Sequence, residues 1–156
     1  MKVVDLCSLS GDEQRLIDLA WMARLHAYAD YSGFKVGAAV GMRMENGLLI
    51  GDGCNVENAA YAGGHAEHGA IHQLAMSIPS GMKLHIDVVA VALVASGKKQ
   101  HAVPCGICRQ WLREVGTDKM VIYGVKLNEY GVLWQVERFT LGELLKYSFG
   151  PNNLNR

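Results

Sequence analysis

The sequence predicts an α/β fold of three layers, α/β/α, in which a five-stranded mixed sheet lies between helices on its two faces. Three observations predict it. Apolar residues recur with helical and strand periodicity in the order α-β-β-α-β-α-β-β-α along the chain. Asn46-Gly47 stands between two strand-like runs and is the dipeptide of a tight hairpin turn. The last two strand-like runs are separated only by Lys126 to Gly131. A parallel crossover takes a dozen or more residues, so this pair is antiparallel.

Ser10 and Glu13 form a capping box that opens the first helix, continued by Leu16, Leu19, Ala20 and Ala23 and fading before Tyr31-Ser32-Gly33. Val36 to Met44 and Leu48 to Cys54 are the strands of the hairpin. A second helix runs from about His65 to Ser77, after Gly63-Gly64 and before Pro79 and Gly81. Val88 to Ala95 reads as a buried strand, and Pro104 opens a third helix that reaches about Val115. Met120 to Val125 and Val132 to Phe139 are the closing strands, and Thr140 with Glu143 caps a last short helix. No linker, repeat or low-complexity segment interrupts the series, so residues 1–156 are expected to form a single domain.

Composition narrows the function classes. Fifteen basic residues balance fifteen acidic ones, and no basic run exceeds the Lys98-Lys99 pair, which argues against a nucleic-acid partner and for a small molecule. Val88 to Ala95, the longest nearly unbroken apolar stretch, is too short to span a membrane. Met1 to Gln14 lacks the pattern of a signal peptide, and four cysteines in a chain this long do not suggest a disulfide framework. A cytoplasmic protein with reduced thiols is expected.

The chemistry concentrates in His65-Ala66-Glu67 and Pro104-Cys105-Gly106-Ile107-Cys108. Cys105 and Cys108 are three apart at a predicted helix start, which puts both sulfurs on one face. The positive end of the helix favours their thiolates. Taken alone, the pair fits an ordinary buried couple or a redox CxxC as well as a metal site. With His65 at another helix start, the set becomes three metal ligands with one position open, the layout of catalytic zinc. Glu67 lies close enough to act on a water there without binding the metal. His68 and His72 extend a histidine face, but Gly69 stands where a zincin would need Glu, and His72 reads as a solvated helix residue. Cys7 reads as a terminal surface or packing residue and Cys54 as a packing residue at a strand end.

His-x-Glu paired with Pro-Cys-x-x-Cys matches the zinc-deaminase signature. The surrounding residues resemble the cytidine deaminase family in its short, typically tetrameric form. The resemblance is carried by Tyr31-Ser32-Gly33-Phe34-Lys35-Val36-Gly37-Ala38-Ala39, by Gly53-Cys54-Asn55-Val56-Glu57-Asn58-Ala59, by Pro104 to Leu112, and by Ser148-Phe149-Gly150-Pro151 with Leu154. It implies the cytidine-deaminase-like form of the three-layer fold, one zinc ion per chain on His65, Cys105 and Cys108, and Glu67 as the proton shuttle. It further implies that Asn55 and Glu57 hold ribose hydroxyls, that Phe34 packs beside the nucleoside, and that the Ala66 N–H meets the cytosine O2. Phe149 would reach a neighbouring subunit's base pocket in a homotetramer.

The implied reaction is hydrolytic deamination of cytidine or deoxycytidine in pyrimidine salvage. A modified cytosine nucleoside is the alternative substrate, and a nucleic-acid cytosine is a lesser one. Short members of the family usually carry Cys and Arg at the positions of His65 and His68. One imidazole and two thiolates already neutralise a zinc dication, so the two differences read as one coupled change. Asp30 stands in place of the usual Pro, and Val103 in place of a Ser near the leaving-group side.

Overall fold

The computed structural model describes residues 1–60, 62–94 and 100–154. Lys98-Lys99 and the last residue of the expected Val88–Ala95 strand lie outside them. The elements are β1 (Lys2–Val4), α1 (Gly11–Arg24), β2 (Val36–Met44), β3 (Gly47–Cys54), α2 (Ala66–Ser77), β4 (Val88–Val94), α3 (Gly106–Val115), β5 (Val121–Leu127), β6 (Leu133–Thr140) and α4 (Leu141–Leu144). Short 3₁₀ turns occupy Leu6–Ser8 and Pro151–Leu154.

The sheet is mixed and runs β1-β6-β5-β4-β2-β3. β4 and β5 are parallel, joined through α3, and every other pairing is antiparallel, including β5 with β6. The sheet therefore has six strands where five were expected. The additional one, β1, sets Lys2, Val3 and Val4 opposite Arg138, Glu137 and Val136. Three residues are too few to display strand alternation, and the strand forms because the outer edge of β6 offers unpaired backbone groups.

The hairpin forms with its turn at Glu45-Asn46, one residue earlier than expected, because Gly47 pairs with Met44 as the first residue of β3, at φ 125°. That backbone conformation is open to glycine at little cost and strained for other residues. Extension of β5 to Leu127 shortens its connection to β6, and the Asn128 side-chain oxygen closes the turn by accepting from the Tyr130 and Val132 amides.

Strand alternation divides the core between two faces. Ala39, Val88, Ala90, Ala92, Tyr123 and Val125 pack with Leu16, Ile17 and Ala20 of α1. Ala38, Val40, Val89, Val91, Leu93 and Ile122 pack with Ala70, Ile71 and Leu74 of α2 and Leu112 of α3. This second layer carries the chemistry. Its placement rests on backbone contact: a Cβ at Gly51 would come within 2.5 Å of the Ala70 oxygen and the Leu74 nitrogen, and one at Gly53 within 2.5 Å of the Ala70 nitrogen. Without side chains there, α2 sits directly on β3, which fixes the position of its amino terminus.

Candidate metal centre and pocket

The amino termini of α2 and α3 converge. His65 is the N-cap of α2 and Cys105 the N-cap of α3, both with extended backbone and neither making a side-chain capping bond. N-caps are normally Ser, Thr, Asp or Asn, whose oxygens satisfy orphan helix N–H groups. Here both cap side chains turn toward one another instead. The His65 Nδ1 lies 3.4 Å from the Cys105 Sγ and 3.3 Å from the Cys108 Sγ. All three donor atoms lie within 4.8 Å of one another.

The donor set fits zinc. Tetrahedral coordination with Zn–N near 2.0 Å and Zn–S near 2.3 Å separates nitrogen from sulfur by about 3.5 Å. The electrostatics agree. Cys108 is fully buried, and its thiol is pushed far up, first by burial, then by the Glu67 charge and hydrogen bond, then by Cys105. A dication held by His65, Cys105 and Cys108 would reverse that shift by stabilising the thiolates.

Glu67 follows in the first turn of α2 and is 4% exposed, so its carboxylate belongs to this cluster and not to solvent. His68 stacks on His65 at 5.3 Å and lies 4.9 Å from the Trp111 ring, with its Nε2 3.8 Å from the Cys108 Sγ. Its imidazole is held below its ordinary range, mainly by burial and then by His65, against an opposing effect of Glu67. His72 is exposed, as expected, with an edge contact to Trp111. Cys7 is exposed and Cys54 half-buried at the end of β3, both away from the metal cluster.

Beside the cluster opens a cavity of about 380 Å³. It is lined by His65, the buried Ala66 and Glu67, and Cys105, together with Phe34, Asn55 and Glu57. Asn55 accepts from the Val36 amide at 2.8 Å and donates to the Phe34 oxygen at 2.9 Å, so one of its two N–H donors is already committed. Glu57 Oε2 accepts from the amides of Tyr31 and Ser32, at 3.0 and 3.1 Å, and its Oε1 accepts from the Ser32 hydroxyl. These bonds, the hydroxyl first, hold Glu57 below the usual carboxylate range against a smaller opposing effect of burial. It stands as a fixed, anionic acceptor.

Five of the six non-histidine, non-cysteine residues singled out from the sequence thus meet in one pocket. Phe149, the sixth, is 61% exposed and lines no part of it. Its carbonyl accepts from Gln110 of α3. One pocket feature was not assigned from sequence. Ser32 braces Glu57 and also accepts from the Phe34 amide, a role its place in the Tyr31-Ser32-Gly33 motif could have signalled. Val103, expected near the leaving-group side, is a wall of the cavity as well as a core contact.

A three-layer α/β fold with a His/Cys/Cys centre, an adjoining buried carboxylate and a lined cavity defines a zinc enzyme of the hydrolytic type. Residues 10–124 match the family model described as the cytidine and deoxycytidylate deaminase zinc-binding region. The chain belongs to that deaminase family. It is 36% identical over 145 residues to a cytidine deaminase of Halalkalibacterium halodurans, covering 92% of this chain and 98% of that one. A cytidine deaminase of Sporosarcina psychrophila is 32% identical, with 92% and 96% covered. The crystal structure of cytidine deaminase from Burkholderia pseudomallei superposes with a TM-score of 0.71 at 31% identity, covering 90% of this chain and all of that one.

Proposed function

We propose that the protein catalyses hydrolytic deamination of cytidine and deoxycytidine to uridine and deoxyuridine, releasing ammonia, as a step of pyrimidine salvage in the cytoplasm. The observation that carries the reading is the buried Glu67 in the same cavity as Asn55 and the braced Glu57. A reacting group and candidate sugar-hydroxyl partners lining one cavity of about 380 Å³ suit a free nucleoside.

In this reading Glu57 accepts hydrogen bonds from ribose hydroxyls, and Asn55 donates its remaining N–H. Phe34 packs on the nucleoside, and the Ala66 amide, one of the first helix N–H groups without an intrahelical partner, meets the cytosine O2. One zinc ion on His65, Cys105 and Cys108 supplies a water acidic enough to react near neutral pH. Glu67 takes a proton from the attacking water and gives it to N3 as the oxygen bonds to C4. It then takes the remaining proton from that oxygen and passes it to the amine as the C4–N4 bond breaks, leaving a carbonyl at C4 and ammonia. Phe149 is assigned to a neighbour's pocket in a homotetramer, and a fully active monomer in gel filtration would remove that assignment.

A second reading has a specific observation behind it. Val103 gives the cavity an apolar wall, which suits a cytosine nucleoside bearing an alkyl group on N4. Nucleic acid is disfavoured by the balanced charge. Rates on cytidine, deoxycytidine, N4-methylcytidine and a single-stranded oligonucleotide separate these cases. Free cytidine or deoxycytidine is expected to lead, and a faster oligonucleotide would overturn the roles of Asn55 and Glu57.

A further inference from the structure

A charged group lies buried away from the pocket. Lys126 of β5 is fully buried and Glu137 of β6 is 2% exposed, with Nζ 3.5 Å from Oε1. Lys126 also sits 5.0 Å from the centre of the Trp134 ring. A buried ion pair of this kind adds little net stability over apolar residues of similar volume, because desolvation offsets the attraction. Its use has to be sought in what else it touches. The second oxygen of Glu137 meets the His101 Nδ1 at 2.8 Å, and the His101 ring rests edge-on against Phe139 at 5.8 Å.

His101 begins the strap that leads into α3. The next residue, Ala102, is fully buried, with its carbonyl seated on Gly124 so closely that a Cβ there would come within 2.5 Å of the oxygen. Val103 then walls the cavity, the Pro104 carbonyl accepts from the Arg109 Nε at 2.7 Å, and Cys105 presents its sulfur to His65. β6 and β5 therefore grip the strap at two successive residues, just before it delivers a cavity wall and a metal ligand.

We propose that Glu137, held by Lys126, is a positioning residue that acts through His101 to fix the strap and so to place Cys105 for zinc. Groups behind the ligands of a metal commonly govern its retention by one to two orders of magnitude when they touch the ligands directly. His101 acts four residues away, so the lower end applies.

The proposal rests on the zinc reading of His65, Cys105 and Cys108, and its test keeps the two apart. Zinc transfer from the purified holoprotein to a colorimetric chelator is followed in wild type, His101→Ala and His101→Asn. The Asn side-chain nitrogen sits where the His Nδ1 does and still donates to Glu137. His101→Ala is expected to release zinc about tenfold faster at an unchanged thermal midpoint of the metal-free protein, and His101→Asn to restore most of the wild-type rate. Glu137→Gln, which keeps the shape but not the charge, should accelerate release as well. Wild-type release from His101→Ala, or an Asn variant no slower than the Ala one, overturns the proposal. Wild-type protein purified with no zinc overturns the metal reading and this inference with it.

Discussion

Two helices of this protein are capped in the ordinary way and two are not. At α1 the Ser10 hydroxyl accepts from the Glu13 amide while the Glu13 carboxylate accepts from the Ser10 amide, and at α4 Thr140 and Glu143 make the same reciprocal pair. At α2 and α3 the cap positions hold His65 and Cys105, which make no side-chain capping bond and face each other. The first-turn glutamates differ in the same way. Glu13 serves its own backbone and the Tyr123 hydroxyl, whereas Glu67 is withdrawn into the metal cluster. A helix amino terminus favours thiolates and a substrate carbonyl, and at α2 and α3 no cap side chain competes for it. Local stability has been given up where chemistry is done.

The largest contrast is between the two glutamates. Glu67→Gln is expected to lower kcat by roughly 10²- to 10⁴-fold with zinc still near one per chain, since the amide cannot carry the proton. Glu13→Gln keeps a capping-box partner and should leave the rate alone. Loss of zinc from the Glu67 variant would mean that the carboxylate is a ligand and not a shuttle.

His65→Ser turns a ligand into a good cap. Zinc content should fall to near zero and activity with it, yet the metal-free variant should unfold at least as late as the metal-free wild type, with a cap gain of about 0.5–1 kcal/mol. Urea titration of both proteins in chelator reads this directly. A less stable variant would show that His65 stabilises α2 in some way beyond the metal.

The smallest effect is the mirror image. Ser10→Ala or Thr140→Ala should cost about 1 kcal/mol in urea titration, with zinc content and kcat/KM unchanged. A change in either would couple the ordinary caps to the site and blunt the contrast.

This division explains what could be read from the sequence. Capping boxes and the Asn46-Gly47 turn are written in neighbouring residues, so α1, α4 and the β2–β3 hairpin were legible almost to the residue. The metal ligands were legible because His-x-Glu and Pro-Cys-x-x-Cys each stood in consecutive residues at a helix start, and their pairing is a known signature. β1 was not, because three residues hold no pattern and its partner lies at the far end of the chain. The grip of Glu137 on His101 was not either. Glu137 and Lys126 look like solvated strand charges until the register sets Lys126 opposite Gln135 and puts Glu137 beneath the strap. Ser32 stood within a quoted motif, but its bond to Glu57 depends on a loop and a strand end meeting in space.

The ligands also have a meaning for the chain as a polymer. His65 and Cys108 are 43 residues apart in sequence, and one ion joining them closes that length into a ring. A covalent cross-link over such a loop removes unfolded-state entropy worth about 4 kcal/mol. The ion that serves the reaction is thereby also a reversible staple across the second helical layer. Metal starvation then does more than idle such an enzyme: it lifts that constraint from the unfolded chain, so the metal-free protein is expected to open more often and to be cut faster by proteases.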